Sequence, residues 1–326
     1  MPDDRTERLP DAPGPDEHPT DLRQLGGRGW RGALRRVPRE YQSDHLGDWA
    51  AALTYYGVLS VFPAMLVLMS VLGWIGPSVT DPLIRNVRQL APGPARDLLV
   101  QALTNLQQHH AAAGVVGIIA IATALWSASG YIAAFIRAMN AVYDVPEGRP
   151  FTLLLPLRLG LTVATLLLLT VASILVVVSG RVADRVGTAL GIGHTAVQVW
   201  QWGKWPLLLL LVVLLFALLY WAAPNARQHF RWVSPGGLLA VVLWIAVSAL
   251  FALYVSHFGS YNRVYGSLAA VVVFLVWLWL SNLALLLGAE LNAELERQRA
   301  IERGRPADEE PYMELRDTDK LHDDDL

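Results

Sequence analysis

Cysteine is absent from the 326 residues, which excludes disulfides, cysteine–zinc sites, iron–sulfur clusters and thiol catalysis at once. Charge is scarce as well. Only 17% of residues are Asp, Glu, Lys or Arg, against roughly a quarter in a soluble domain. Lysine is nearly missing, since 24 of the 26 basic residues are arginine, a bias that suggests a GC-rich bacterial genome. The first 24 residues are polar, acidic and proline-rich, so no secretory signal peptide is read there and the first membrane helix is expected to act as its own insertion signal. Catalytic signatures are missing too. No His-x-His-x-Asp cluster, Walker loop or Gly-x-Ser-x-Gly elbow occurs, and of the eight histidines only His109 and His110 adjoin, pointing about 100° apart on a helix.

What is present is apolar. Hydrophobic residues make up 54% of the chain and its mean hydropathy is +0.37. The net charge of −2 is uninformative, because the acids gather in 1–48 and 291–326. Six runs, at about 49–74, 112–136, 153–180, 205–223, 237–258 and 267–288, are each long enough to cross a hydrocarbon core of about 30 Å. A charge at the centre of such a helix costs about 2.5–3.5 kcal/mol, and none of the six has one there. The expected fold class is all-α: a polytopic, six-transmembrane-helix bundle with amphipathic interfacial helices. Residues 28–297 form the membrane domain, 1–27 a disordered cytoplasmic tail and 298–326 an acidic cytoplasmic tail.

Orientation follows from the basic residues of the short flanks. With the N-terminus inside, the inner flanks hold fourteen arginines, from Arg28 to Arg305, and the outer flanks seven basic residues, from Arg85 to Arg263. That twofold bias places both termini in the cytoplasm of a bacterial inner membrane. Before the first run, Trp30, Ala33, Leu34 and Val37 share a helical face opposite Arg31, Arg35, Arg36 and Arg39. This pattern suits a helix in the headgroup layer, with Trp30, Arg35 and Arg36 as anchors, and Pro38 keeps a solvated basic linker open as the alternative. On the outer side, 82–108 and 182–205 carry amphipathic spacings that form either a partial lid or helices resting on the membrane, and Tyr261 and Arg263 are further candidate anchors.

Several blocks stand in a distinctive order: Ala50-Ala51-Ala52-Leu53-Thr54-Tyr55-Tyr56, Trp126-Ser127-Ala128-Ser129-Gly130, Ile136-Arg137-Ala138-Met139-Asn140, Ala223-Pro224-Asn225, Tyr261-Asn262-Arg263-Val264-Tyr265-Gly266-Ser267 and the run Leu280–Leu295, with Ser281, Asn282, Glu290, Asn292 and Glu294 at fixed places. Over about residues 30–297 the chain resembles the YihY/virulence factor BrkB family of bacterial inner-membrane proteins. The resemblance implies six helices and a link to envelope integrity. That family has also carried a ribonuclease BN label; the scattered histidines and the lack of a basic RNA groove argue against nuclease chemistry and against nucleic acid as a partner.

Polar groups at membrane depth are the candidate site. Asn282 and Glu290 share a broad face of the sixth span, and with Ser127 and Asn140 they would line a cavity open to the cytoplasm. The competing reading has Asn282 bonding another helix and Glu290 reaching water. Ala120, Ala124 and Ala128 form a small-residue ridge suited to close helix packing. No catalytic residue, metal or cofactor is expected. The function expected is transport or scrambling of a lipid or other amphipathic envelope component; the alternative is a non-transporting scaffold for envelope assembly. Membrane lipids and envelope-assembly proteins are the corresponding partners, and oligomeric state is not legible.

Overall fold

A computed structural model describes residues 27–75, 115–177, 194–228, 230–257, 262–306 and 311–321. Seven helices run through them: α1 (Gly27–Ser43), α2 (Leu46–Ile75), α3 (Val115–Val142), α4 (Phe151–Val177), α5 (His194–Ala222), α6 (Pro235–His257) and α7 (Asn262–Glu302). Among the described residues there is no strand, only an isolated bridge between Ala226 and Leu315. The all-helical expectation therefore stands.

Four helices are long and apolar enough to cross a bilayer among the described residues: Phe151–Val176, Trp202–Ala222, Pro235–Tyr254 and Val271–Glu302. The other two expected spans fall on α2 and α3, which are 30 and 28 residues long. Their side chains beyond Pro63 and before Ala122 lie outside the described set, as do the proposed lid segment 82–108, residues 182–193 of the second lid segment and Tyr261. Four spans are thus seen as such, and the count of six rests on the sequence.

Local chemistry sets the helix ends. Pro38 sits inside α1 without breaking it. His45 then takes a left-handed conformation (φ 54°), a region in which His, Asn and Asp are over-represented, and turns the chain into α2. Asp144 does the same after α3 (φ 49°), where the Val145 N–H reaches back to the Asn140 carbonyl at 3.0 Å. Ser234 caps α6: its Oγ accepts from the Gly237 N–H at 3.0 Å, with Pro235 in the first helical position.

The helices close a ring. Neighbours pack in the order α2–α3–α4–α5–α6–α7, α7 returns to α2, and α3 also touches α7 across the centre. The buried core lies toward one end of this ring, in Leu46–Leu53 of α2, Ile132–Val142 of α3, Phe216–Ala222 of α5 and Ala284–Leu295 of α7. Outward faces are apolar: Phe151, Leu167, Trp202, Trp205, Leu250 and Leu253 are all more than half exposed. A helix bare of polar groups on its outer face needs lipid there. Some hydroxyls on the spans are satisfied locally, as Thr162 and Thr170 donate one turn back to the Arg158 and Leu166 carbonyls, while Thr165 Oγ1 and Ser281 Oγ are buried without a partner.

One contact depends on having no side chain. Gly236 of α6 and Gly288 of α7 face each other so closely that a Cβ on either would run into the other's carbonyl oxygen. The approach lets the Gly236 N–H, an orphan donor of the first turn of α6, reach Asn292 Oδ1 at 2.8 Å.

Candidate functional site

The structure distributes the four predicted cavity residues over separate networks. Asn282 is fully engaged: Tyr131 Oη of α3 donates to its Oδ1 at 2.9 Å, and its Nδ2 donates to Thr54 Oγ1 of α2 at 3.1 Å. It ties three helices together, as the structural reading had it. Ser127 is exposed on α3, and its carbonyl lies 3.5 Å from Ser60 Oγ.

Asn140 belongs to the loop network beyond α3. Its Nδ2 donates to Glu147 at 2.8 Å and its Oδ1 accepts from the Asn225 N–H at 2.8 Å. Arg149, only 4% exposed, completes this network: it grips Glu147 through Nε and Nη2 at 2.7 Å each and donates to the Ala223 carbonyl at 2.9 Å, at the end of α5. Burial alone would raise the Glu147 carboxyl, but the hydrogen bonds and charge of Arg149 outweigh it and hold the group below its usual range.

Glu290 sits elsewhere again, in an ionic layer between α1 and α7. Trp30, Ala33 and Val37 of α1 pack on Leu291 and Leu295 of α7 and on Leu239. Arg36, expected at the headgroups, pairs with Glu294 and donates to Gln298 at 2.9 Å. Arg35 is exposed, while the side chain of Arg263 falls outside the described residues. Trp30, Ala33 and Val37 of the apolar face of α1 thus meet protein, while Leu34 of that face is exposed.

One concavity is a feature that sequence reasoning missed. A cavity of about 620 Å³ opens where the C-terminal ends of α5 and α7 meet the 227–234 segment. Among the described residues, Arg227, Arg231, Arg299, Arg303 and Arg305 line it with two acids, Glu296 and Glu314; Arg231 lies 3.7 Å from Glu296 and Arg227 3.5 Å from Glu314. Tyr143, Tyr220 and Trp221 form an aromatic wall. Arg299 Nη1 pairs with Glu296 at 2.8 Å, but its Nε is buried without an acceptor. Burial, with Glu296 and Glu290 nearby, pushes the Tyr143 hydroxyl well above its ordinary range, so it stays a neutral donor. The sequence signal for these arginines was their sign, already counted for orientation; nothing local showed that they converge.

The cavity has a floor from the far end of the chain. Helix α7 runs to Glu302, past the expected domain boundary, and residues 311–321 return as a strap. The Arg227 N–H donates to the Glu314 carbonyl and the Arg316 N–H to the Asn225 carbonyl, both at 2.8 Å, while Lys320 N–H reaches the Gly148 carbonyl at 3.0 Å. Gly148 is required here, since a Cβ would strike the Asp317 carbonyl. Tyr312 stacks under the Arg297 guanidinium at 4.3 Å, and Tyr312, Met313 and Glu314 line the cavity. Such a site can hold an anion through several guanidinium donors and rest an apolar group against the aromatic wall. Among the described residues, no three His, Cys, Asp or Glu side chains converge as metal ligands.

Comparison with known proteins places the chain among membrane proteins. A family profile described as virulence factor BrkB matches residues 37–312. The putative ribonuclease-like protein YfkH of Bacillus subtilis is 35% identical over 268 residues, covering 81% of this chain and 93% of that protein. A UPF0761 membrane protein of Pseudomonas paraeruginosa is 31% identical over 282 residues, 81% of this chain and 63% of the relative. Another, from Alkalilimnicola ehrlichii, is 31% identical over 83% of this chain and 61% of its own length. The chain therefore spans less than two thirds of these UPF0761 proteins. No solved structure matches.

Proposed function

This chain belongs to the virulence factor BrkB family, and we propose that it is a six-span inner-membrane protein that binds an anionic amphiphile in its arginine cavity and moves or positions it within the envelope. Both termini and the cavity face the cytoplasm in this reading, and the protein acts by binding and displacement without catalysis. The observation that carries it is the cavity: among the described residues, five arginines line it with two acids. The positive-inside rule alone would scatter arginines over the inner surface. Their convergence on one concavity, within the size range of small-ligand pockets (roughly 300–1,000 Å³), is what favours a ligand. An aromatic wall next to guanidinium donors suits a molecule with an anionic head and an apolar body.

Reconstitution tests the proposal. Purified protein in vesicles carrying labelled phosphatidylglycerol, phosphatidylethanolamine or phosphatidylcholine should speed transbilayer movement of the anionic lipid most. Replacing both Arg231 and Arg303 by Gln should weaken retention of anionic lipid by roughly tenfold or more, at about 1 kcal/mol per arginine. Rates equal to empty vesicles for every headgroup, together with no preference for anionic lipid in the purified protein, would refute it.

A further inference from the structure

Two carboxyls meet beneath the arginine cavity. Asp44, at the α1–α2 turn, is in side-chain hydrogen-bond contact with Glu290 of α7. Two carboxylates cannot make that bond, because each would only accept; one proton must lie between them. Glu290 is 1% exposed, and its Oε2 has no partner in the protein. Both acids line a second, small cavity of about 10 Å³, room for about one water.

The surroundings do not neutralise the pair by cations. From α1 the facing groups are Arg36 and Glu40, and from α7 Glu294 and Arg297; Tyr143 and Asp144 face it from the end of α3, and Tyr312 from the strap. Arg36 pairs with Glu294, and Arg297 with Glu40 at 2.9 Å and Glu294 at 3.4 Å. His45 directs its ring away, Nδ1 lying 2.7 Å from the Ser43 carbonyl. Both arginines are thus engaged by Glu40 and Glu294. Tyr143, Tyr312 and Met313 line both cavities, so a single wall separates the carboxyl pair from the arginines.

We propose that Asp44 and Glu290 form a proton-binding site that exchanges one proton with solution through the small cavity and so sets the charge behind the wall of the arginine cavity. On release, the Asp44 carboxyl passes its proton to water and is left as a carboxylate that accepts the hydrogen bond donated by the Glu290 carboxyl, so the pair gains one negative charge between α1 and α7. Burial, and the charges of Glu40 and Glu294, push the Asp44 carboxyl up to about 6 against the hydrogen bonds of Glu290 and Ser43, which places exchange in a mildly acidic range. The site is independent of what the arginine cavity carries.

Infrared pH-difference spectroscopy on the full-length protein in nanodiscs tests this directly. The wild type should show a protonated-carboxyl C=O band that loses intensity as pH rises from about 4 to about 8. Asp44→Asn and Glu290→Gln should each diminish or shift that band, while Asp48→Asn, at an exposed position on the first turn of α2, should leave it unchanged. A wild type without a titrating carboxyl band overturns the proposal, whatever the variants do. A band indifferent to both Asp44→Asn and Glu290→Gln also overturns it.

Discussion

Adding one methyl group at Gly288 should separate two helices. The Cβ of Gly288→Ala would lie against the Gly236 carbonyl and 2.7 Å from both the Ala240 Cβ and Tyr220 Oη. Comfortable carbon contacts lie at about 3.5–4.0 Å, so about 1 Å of separation is needed on three sides. None of the three yields freely: one is backbone, one is a buried alanine, and Tyr220 is tethered by donating to the Leu285 carbonyl. Overpacking of this kind costs about 1–3 kcal/mol, and loss of the buried tyrosine hydrogen bond adds about 1. Alanine's helix propensity returns about 1 kcal/mol. Gly160→Ala supplies the control, because nothing lies within 4 Å of its Cβ and only the propensity gain applies. The two variants should therefore differ by about 2–4 kcal/mol, on the order of 30- to 1,000-fold in the unfolding equilibrium. Reversible unfolding in mixed micelles, followed by the fluorescence of the 12 tryptophans, measures that difference. If Gly288→Ala and Gly160→Ala agree within about 0.5 kcal/mol, the close glycine contact does not exist as described.

Arg149→Met should cost about 3–5 kcal/mol, because it strands Glu147 and uncovers the carbonyls at the end of α5; a double-mutant cycle with Glu147→Gln should come out strongly non-additive. Asn282→Leu breaks the bonds to Tyr131 and Thr54 and should destabilise by about 1–2 kcal/mol while leaving anionic-lipid retention intact; retention lost at unchanged stability would return Asn282 to the site. Gly148→Val should release the 311–321 strap, seen as faster hydrogen exchange there with the ring helices still protected. Because the Asp44 carboxyl is raised in the folded state, its contribution to stability is full below about pH 4 and fades as pH rises through about 6; Asp44→Asn should flatten that part of the pH–stability curve.

The apolar helices were legible because their signal is additive: twenty residues without a central charge leave little choice of environment. The helical periodicity of Trp30, Ala33 and Val37 was legible in the same way, but its destination was not. An amphipathic face carries no record of whether it meets headgroups or Leu291 and Leu295. Polar residues at depth posed a similar problem. Asn282, Asn140 and Glu290 lie in three networks because their partners, Tyr131, Asn225 and Asp44, come from elements distant in sequence. The strap was illegible for a different reason. Its acidic, polar composition reads as solvated tail, and it is held by backbone hydrogen bonds and by side chains such as Asn225 and Arg316 whose partners are distant in sequence, neither of which composition encodes.

The arginines show how one residue type serves three physical ends in a membrane protein. Some secure helix ends and loops: Arg149 on the α5 carbonyls, and Arg158, whose Nε donates to the Ser129 carbonyl at 3.0 Å while its guanidinium lies over Trp126 at 5.0 Å. Others neutralise acids between helices, as Arg36 and Arg297 do along α1 and α7. Charge alone would suffice for topology, and lysine would serve it equally. In the remaining set Arg231 and Arg299 also pair with Glu296, Arg227 with Glu314, and Arg305 donates to the Pro311 carbonyl, but what Arg227, Arg231, Arg299, Arg303 and Arg305 all share is a cavity. Planar guanidinium groups converging on one concavity select for oxyanions with several acceptor atoms. That distinction separates a binding site from a surface that is merely positive.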